Sequence, residues 1–263
     1  MKGDQTSPII APGFSLAKKK ALVTGASKGI GRALAIGLAQ AGAEVILAGR
    51  DTQRLSTVAE EISGQYAHPT VLTLDVTDVE ALPSTIEDCC SKRGGLDILV
   101  NNAGFERVED SLKVTPSIWN AILDTNLKGA FFMAQAAAKV MLESGGGSIM
   151  NVCSLASSVG IPTAVPYTSS KSGLLGMTRA LSSEWAPKGI RVNGIAPGYF
   201  RTAMTDIFFQ DEEWAEAMLA KIPVGRFGRV EDLIGAVVFF SSPAAEYITG
   251  QMLTIDGGYL ASI

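Results

Sequence analysis

The stretch from residue 20 to residue 48 constrains the chain most. KALVT, Lys20–Thr24, is a short apolar run of the kind buried on both faces of a parallel sheet. It leads directly into Gly25-Ala26-Ser27-Lys28-Gly29-Ile30-Gly31. From Gly29 to Gln40 the apolar residues Ile30, Leu34 and Leu38 recur at helical spacing, and Ala41-Gly42 supplies a stop. A second strand over 44–48 completes a βαβ unit. The alternation then repeats, with helices predicted over 52–63, 79–91, 117–143, 167–186 and 230–240. Strands are predicted over 71–74, 98–100, 148–152, 191–195 and 252–255. Strands alternating with helices imply an α/β fold of three layers, a doubly wound Rossmann-type sheet. The expected organisation is an N-terminal tail over 1–17 and one domain over 18–263, with a polar and aromatic insertion at about 199–221.

Three glycines between a buried strand and a helix suit a pyrophosphate. Glycine permits the tight turn and the close backbone approach, and the helix N-terminus offers free N–H groups. The spacing here is G-x-x-x-G-x-G, with Gly25, Gly29 and Gly31 as the glycines and Ser27, Lys28 and Ile30 between them. After the second strand, where an acid would meet the ribose of NAD, the chain has Ala48-Gly49-Arg50-Asp51. Arg50 is a charged fork suited to a 2′-phosphate, and Lys28 adds a second cation. Together they favour NADP(H), with NAD(H) still open because a one-residue shift in register would turn Asp51 toward the ribose.

Downstream, Asn151 to Lys171 reads NVCSLASSVGIPTAVPYTSSK. Tyr167 and Lys171 stand four apart and so project from one helix face. Ser154, thirteen positions before Tyr167, lies at the predicted end of a strand. A free phenol has a pKa near 10, too high for a base at neutral pH, and a neighbouring ammonium lowers it. Lys171 is placed to do this and to bond a cofactor ribose, while Ser154 can donate a hydrogen bond to a substrate oxygen. Asn126 falls inside the predicted long helix, where asparagine is unfavourable, so a polar task is expected of it.

Composition removes rival chemistries. The single histidine, His68 beside Pro69 in a predicted surface loop, leaves no partner for a Ser-His-Asp triad and little scope for a metal site. A net charge of −4 and no basic run beyond Lys18-Lys19-Lys20 argue against nucleic acid. No apolar run approaches the length needed to span a bilayer, and the N-terminus lacks the apolar core of a secretory signal. Cys89, Cys90 and Cys153, odd in number and without metal spacing, fit free thiols in a reducing cytoplasm.

Taken in order, TGASKGIG, Asn101-Asn102-Ala103-Gly104, Asn126, Ser154, the Tyr167–Lys171 pair and Pro197-Gly198 resemble the short-chain dehydrogenase/reductase family, from about residue 14 to the end. The resemblance implies a seven-stranded sheet, a nicotinamide cofactor and a homotetramer. It implies that Asn102, Ala103 and Gly104 steady the sheet beside the adenosine and that Asp75-Val76 touches the adenine. Pro197, Gly198 and Thr202 would hold the nicotinamide side. Asn126 would hold a water against Lys171 and complete a proton path.

IAPGYFRTAMT, DEEW and PVGRFGRVEDLIGAVVFFSS are similar to the gluconate 5-dehydrogenase-like branch of that family. That branch implies an NAD(P)-dependent interconversion of a secondary alcohol and a ketone on a sugar acid such as 5-ketogluconate. Arg201, Arg107 and Lys113 are candidate carboxylate partners, or plain surface cations. The aromatics Tyr199, Phe200, Phe208, Phe209 and Trp214 of the insertion form either a lid or ordinary packing. Two alternatives stand beside this reading: a 3-oxoacyl-carrier-protein or other carbonyl reductase, and a catalytically silent dinucleotide-binding regulator. The silent regulator is disfavoured because Ser154, Tyr167, Lys171 and Asn126 are all present.

Overall fold

Strand β1 (Lys20–Thr24) lies inside the sheet, with a strand on either side, and its residues are apolar toward both faces. Ala21 and Val23 enter one apolar cluster and Leu22 enters the other. The same alternation runs through β2 (Glu44–Gly49), β4 (Ile98–Asn101) and β5 (Gly147–Val152). With β3 (Thr70–Thr73), β6 (Ile190–Pro197) and β7 (Met252–Ile255) they form a seven-stranded sheet in the order β3-β2-β1-β4-β5-β6-β7, every pairing parallel. The computed structural model describes residues 13–201 and 211–263.

Helices α1 (Gly29–Gln40) and α2 (Thr52–Ser63) cover one face, contributing Leu34, Leu38, Leu55 and Ile62 to its core. Helix α3 (Leu82–Ser91) covers the other face together with the helix over residues 130–143 and the later part of the helix that follows β5. The chain changes side between β1 and β4, which are neighbours in the sheet although two strands separate them in sequence. Crossovers leave that point in opposite directions, so a crevice opens at the carboxyl ends of the strands there.

Four local departures from the sequence expectation have physical causes. The helix expected over 117–143 is interrupted: α4 (Pro116–Leu123) and α5 (Ala130–Glu143) are joined by a wider π-type turn, Asp124–Gly129. The buried Asn126 amide sits in that turn and bonds both backbone groups of Phe105, giving and accepting one hydrogen bond. Helix α3 starts at Leu82 rather than Val79, with Pro83 in its first turn and a hydrogen-bonded turn from Asp75 before it. The helix expected over 230–240 is a 3-10 turn, Val230–Leu233, that feeds a later helix, Ile234–Ser241. The tail is shorter than expected: Leu16 is fully buried in the core and its N–H donates to Ala41 O at 2.8 Å.

Helix α5 buries most of its apolar residues within the chain's own core. Met133, Ala134, Ala136, Ala137 and Ala138 pack within the subunit, so its apolar residues mostly serve its own core. Phe131 and Phe132 remain half-buried, and Leu142 is exposed. Among the described residues no helix is long and apolar enough to cross a membrane, and no group of His, Cys, Asp and Glu could hold a metal ion.

Candidate active site

A crevice of about 1010 Å³ runs along the carboxyl ends of the central strands. One end is the glycine turn. Gly25 has φ +65°, a conformation side chains rarely adopt, and the turn is held from across the switch point by Asn102. The Asn102 side-chain amide donates to Thr24 O at 2.9 Å and to Gly25 O at 3.2 Å. Thr24 Oγ1 in turn accepts from the N–H groups of Asn102 and Ala103, both at 3.0 Å. A methyl group on Gly31 would lie 2.3 Å from Gly25 O and 2.4 Å from Asn102 Nδ2. The turn is therefore packed down to bare backbone, with the start of α1 directed at the crevice.

Lys28, Arg50, Asp75 and Val76 line the same end. Arg50 and Asp75 form a loose ion pair at 3.6 Å, and the Arg50 side chain is 79% exposed, so the guanidinium is free to turn to a ligand. Burial alone would raise the Asp75 carboxyl, but hydrogen bonds from Thr77 and the Arg50 charge outweigh it and hold it below its usual value. Asp51 is committed elsewhere: its carboxylate accepts from Arg54 N at 3.0 Å, capping α2, and pairs with Arg54 Nε at 3.2 Å. The acid that left NAD(H) open is thus tied to its own helix. Arg54 also lines the crevice, a residue that sequence reasoning passed over because nothing in its spacing marks it.

The other end holds the polar trio. Helix α6 (Val165–Trp185) begins with Pro166 in its first turn and carries Tyr167 and Lys171 on its crevice side. Ser154 stands just beyond β5, where its Oγ accepts from Ala156 N at 3.2 Å and hydrogen-bonds the Tyr167 phenol. Lys171 is buried; its Nζ donates to Val152 O at 2.7 Å and lies 5.7 Å from the Tyr167 ring centroid.

The electrostatics correct one expectation. Burial pushes the Tyr167 phenol up to about 12, against the Ser154 hydrogen bond, with Glu106 and Cys153 adding to the rise. Burial likewise pulls the Lys171 ammonium down to about 8, against the influence of Cys153 and Glu106. Lys171 therefore does not lower the phenol here, because its ammonium is turned to the Val152 carbonyl and both groups are desolvated.

Gly25, Ser27, Lys28, Gly29, Ile30, Gly31, Arg50, Asp75, Val76, Asn102, Ala103, Gly104, Ser154, Tyr167, Lys171, Pro197 and Gly198 all line this one crevice. Thr202, with Phe208 and Phe209 of the insertion, lies outside the described residues. Asn126 stands behind the wall: a methyl on Gly104 would meet its Oδ1 at 3.0 Å and Lys171 Nζ at 3.7 Å. Arg107, Lys113 and Arg201 do not line the crevice, whereas Lys221 does. Tyr199 and Trp214 line it too, their rings edge to face at 5.6 Å, and Tyr199 meets Tyr259 at 5.2 Å. Glu106, unmarked by any motif, faces the trio.

The chain resembles known proteins over most of its length. Residues 25–260 match the family model described as Enoyl-(Acyl carrier protein) reductase. Gluconate 5-dehydrogenase of Gluconobacter oxydans (strain 621H) is 39% identical over 250 residues, 95% of this chain and 98% of the relative. The 3-oxoacyl-[acyl-carrier-protein] reductase FabG of Staphylococcus aureus (strain Mu50 / ATCC 700699) is also 39% identical, over 91% of this chain and 97% of the relative. Among solved structures, a protein of Sinorhizobium meliloti 1021 classed with the short-chain alcohol dehydrogenases superposes with a TM-score of 0.93 at 55% identity, covering 96% of this chain and all of that one. A gluconate 5-dehydrogenase of Burkholderia cenocepacia J2315 in complex with NADP and tartrate gives 0.92 at 35% identity, over 95% and 98% of the two chains.

Proposed function

Since this chain belongs to the short-chain dehydrogenase/reductase family, we propose that it is an NADP(H)-preferring oxidoreductase that interconverts a keto sugar acid such as 5-ketogluconate and its alcohol. The observation that carries this is one crevice with a bare-backbone glycine turn at one end and Ser154, Tyr167 and Lys171 at the other. The residues present fit a dinucleotide. Gly25 and Gly31 let the turn, the start of α1 and Asn102 close on one another, so that bare backbone borders the crevice, and Lys28 and Arg50 supply cations for a 2′-phosphate. Asn102, Ala103 and Gly104 would line the adenosine side with Asp75 and Val76, and Pro197 and Gly198 the nicotinamide side. When bound, the nicotinamide supplies or takes the hydride.

The chain's own residues handle the proton. Tyr167 Oη gives a proton to the carbonyl oxygen in reduction and takes it back in oxidation. A phenol pushed up to about 12 stays protonated at neutral pH, so the proton that reduction consumes is present on Tyr167. Ser154 hydrogen-bonds the same oxygen and fixes the phenol. Lys171, tied to Val152 O and one helical turn from Tyr167, is the next proton store inward. Asn126 fixes the Phe105 backbone beside Gly104, which keeps that wall in place.

Among the described residues, Lys221 is the crevice-lining cation that belongs neither to the cofactor end nor to the Tyr167–Lys171 pair, so we assign it the substrate carboxylate. A panel of ketones with NADPH and NADH, followed by reduced-cofactor absorbance, tests the whole reading. Turnover of 5-ketogluconate with NADPH ahead of NADH is expected. Strong NADH preference would remove the roles given to Lys28 and Arg50, and preference for an acetoacetyl thioester would favour the carrier-protein reductase.

We propose assembly as a homotetramer, for which Trp119, Leu142 and Val165, exposed on α4, α5 and α6, are available as contacts. Light scattering at micromolar concentration should give four times the chain mass; a monomer would refute it. The three buried thiols, all free, suit work in the reducing cytoplasm.

A further inference from the structure

Glu106 is a charged group in the crevice that the proton chemistry above does not use. It follows Phe105, whose N–H donates to Asn126 Oδ1 at 3.0 Å and whose carbonyl accepts from Asn126 Nδ2 at 2.9 Å. The loop is pinned again three residues later, where Glu109 N donates to Thr163 O, at 2.8 Å, across the crevice. The backbone on both sides of Glu106 is therefore fixed, and its side chain faces the crevice. The carboxyl is half-buried and makes no hydrogen bond or close ion pair among the described residues; burial raises its pKa, and only the more distant Lys171 charge opposes that rise. Its charge acts on Tyr167, Lys171 and Tyr199, so it borders the space between the trio and the aromatic wall.

A part-buried carboxylate without a donor is unfavourable, and a bound molecule that brings an O–H to it is favoured twice over, by the bond formed and by the desolvation relieved. We infer that Glu106 is a specificity residue that accepts a hydrogen bond from a substrate hydroxyl next to the reacting carbon. This rests on the oxidoreductase reading and sharpens it: the substrate class is a hydroxy ketone or vicinal diol. An acyl thioester has a methylene at that position and would leave the carboxylate covered and unbonded. Rejection of a substrate that lacks the matching polar group is the strong form of discrimination. The same charge repels the substrate's own carboxylate, which is thereby directed away from the trio.

The test compares wild type, Glu106→Gln and Glu106→Leu on 5-ketogluconate, on its analogue lacking the hydroxyls on both carbons beside the ketone, and on an acetoacetyl thioester. NADPH affinity, measured by cofactor fluorescence, reports an intact crevice. Glu106→Leu should lose roughly 10- to 100-fold in kcat/KM on the hydroxylated ketone, with the analogue and the thioester unchanged or improved. Glu106→Gln, still an acceptor, should fall between. If 5-ketogluconate is not a substrate but the wild type prefers another hydroxylated ketone over its deoxy partner and Glu106→Leu erases that preference, the sugar-acid reading fails and the Glu106 assignment stands. A Glu106→Leu protein that binds NADPH normally and keeps the wild-type preference, or loses equally on all ketones, overturns it.

Discussion

Replacing Tyr167 by Phe is expected to slow turnover by roughly 10²–10⁴-fold while leaving NADPH affinity near that of the wild type. Only one oxygen is removed. The ring stays in the first turn of α6, and Lys171 keeps its hydrogen bond to Val152 O at 2.7 Å. Ser154 loses the phenol but retains Ala156 N as a donor at 3.2 Å, so the end of β5 has no reason to shift. What disappears is the acid that meets the carbonyl oxygen. Fluorescence titration of the cofactor and steady-state turnover of the same preparation separate binding from chemistry. A folded Tyr167→Phe protein with substantial reductase activity would remove Tyr167 from the mechanism.

Gly31→Ala should be as damaging through a different route. Its methyl would fall within 2.4 Å of two groups that cannot yield cheaply, Gly25 O and Asn102 Nδ2. Asn102 is committed to Thr24 O and Gly25 O, and through its backbone to Thr24 Oγ1, so it cannot move without loosening β1 from β4. The start of α1 must then back away from the turn. Overpacking of this kind costs about 1–3 kcal/mol, and the displaced N–H groups no longer meet a pyrophosphate. Thermal unfolding should show a lower Tm, and NADPH affinity should fall by more than about tenfold. An unchanged Tm with wild-type NADPH affinity would mean that the turn is not the phosphate cradle.

Much of this was legible in the sequence because it rests on repetition. The strands announce themselves through apolar runs buried on both faces, and the glycine turn through its place between strand and helix. Tyr167, Lys171 and Ser154 follow from helix periodicity and a strand end. The π-type turn at Asp124–Gly129 was not legible, since DTNLKG has no local reason to widen a helix. Its cause is tertiary, the clasp of Asn126 on Phe105. Leu16 looked like tail because one apolar residue among polar ones has no period, yet it completes the core beside Leu38 and Ala43.

The substrate end was the least legible part. Glu106 and Lys221 occupy loop positions whose neighbours carry no pattern, and only the folding of separate segments onto one crevice gives them a role. The cations that the sequence offered for a carboxylate, Arg107, Lys113 and Arg201, are not among the residues that line the crevice. The phenol was expected to be lowered by Lys171 from spacing alone. Burial and the turn of the ammonium to Val152 O reverse that, and neither can be read from a four-residue interval.

Hydride delivery to a ketone carbon of a sugar acid is the centre of this account, and isotope transfer tests it most directly. The wild-type protein is given 5-ketogluconate and NADPH carrying deuterium at both positions of the reduced nicotinamide carbon, and the product is read by mass spectrometry and NMR. Gluconate with a single deuterium on the new carbinol carbon, formed in step with cofactor oxidation, is the predicted result. Cofactor oxidation without deuterium on that carbon, or no oxidation in the presence of the ketone, would contradict it.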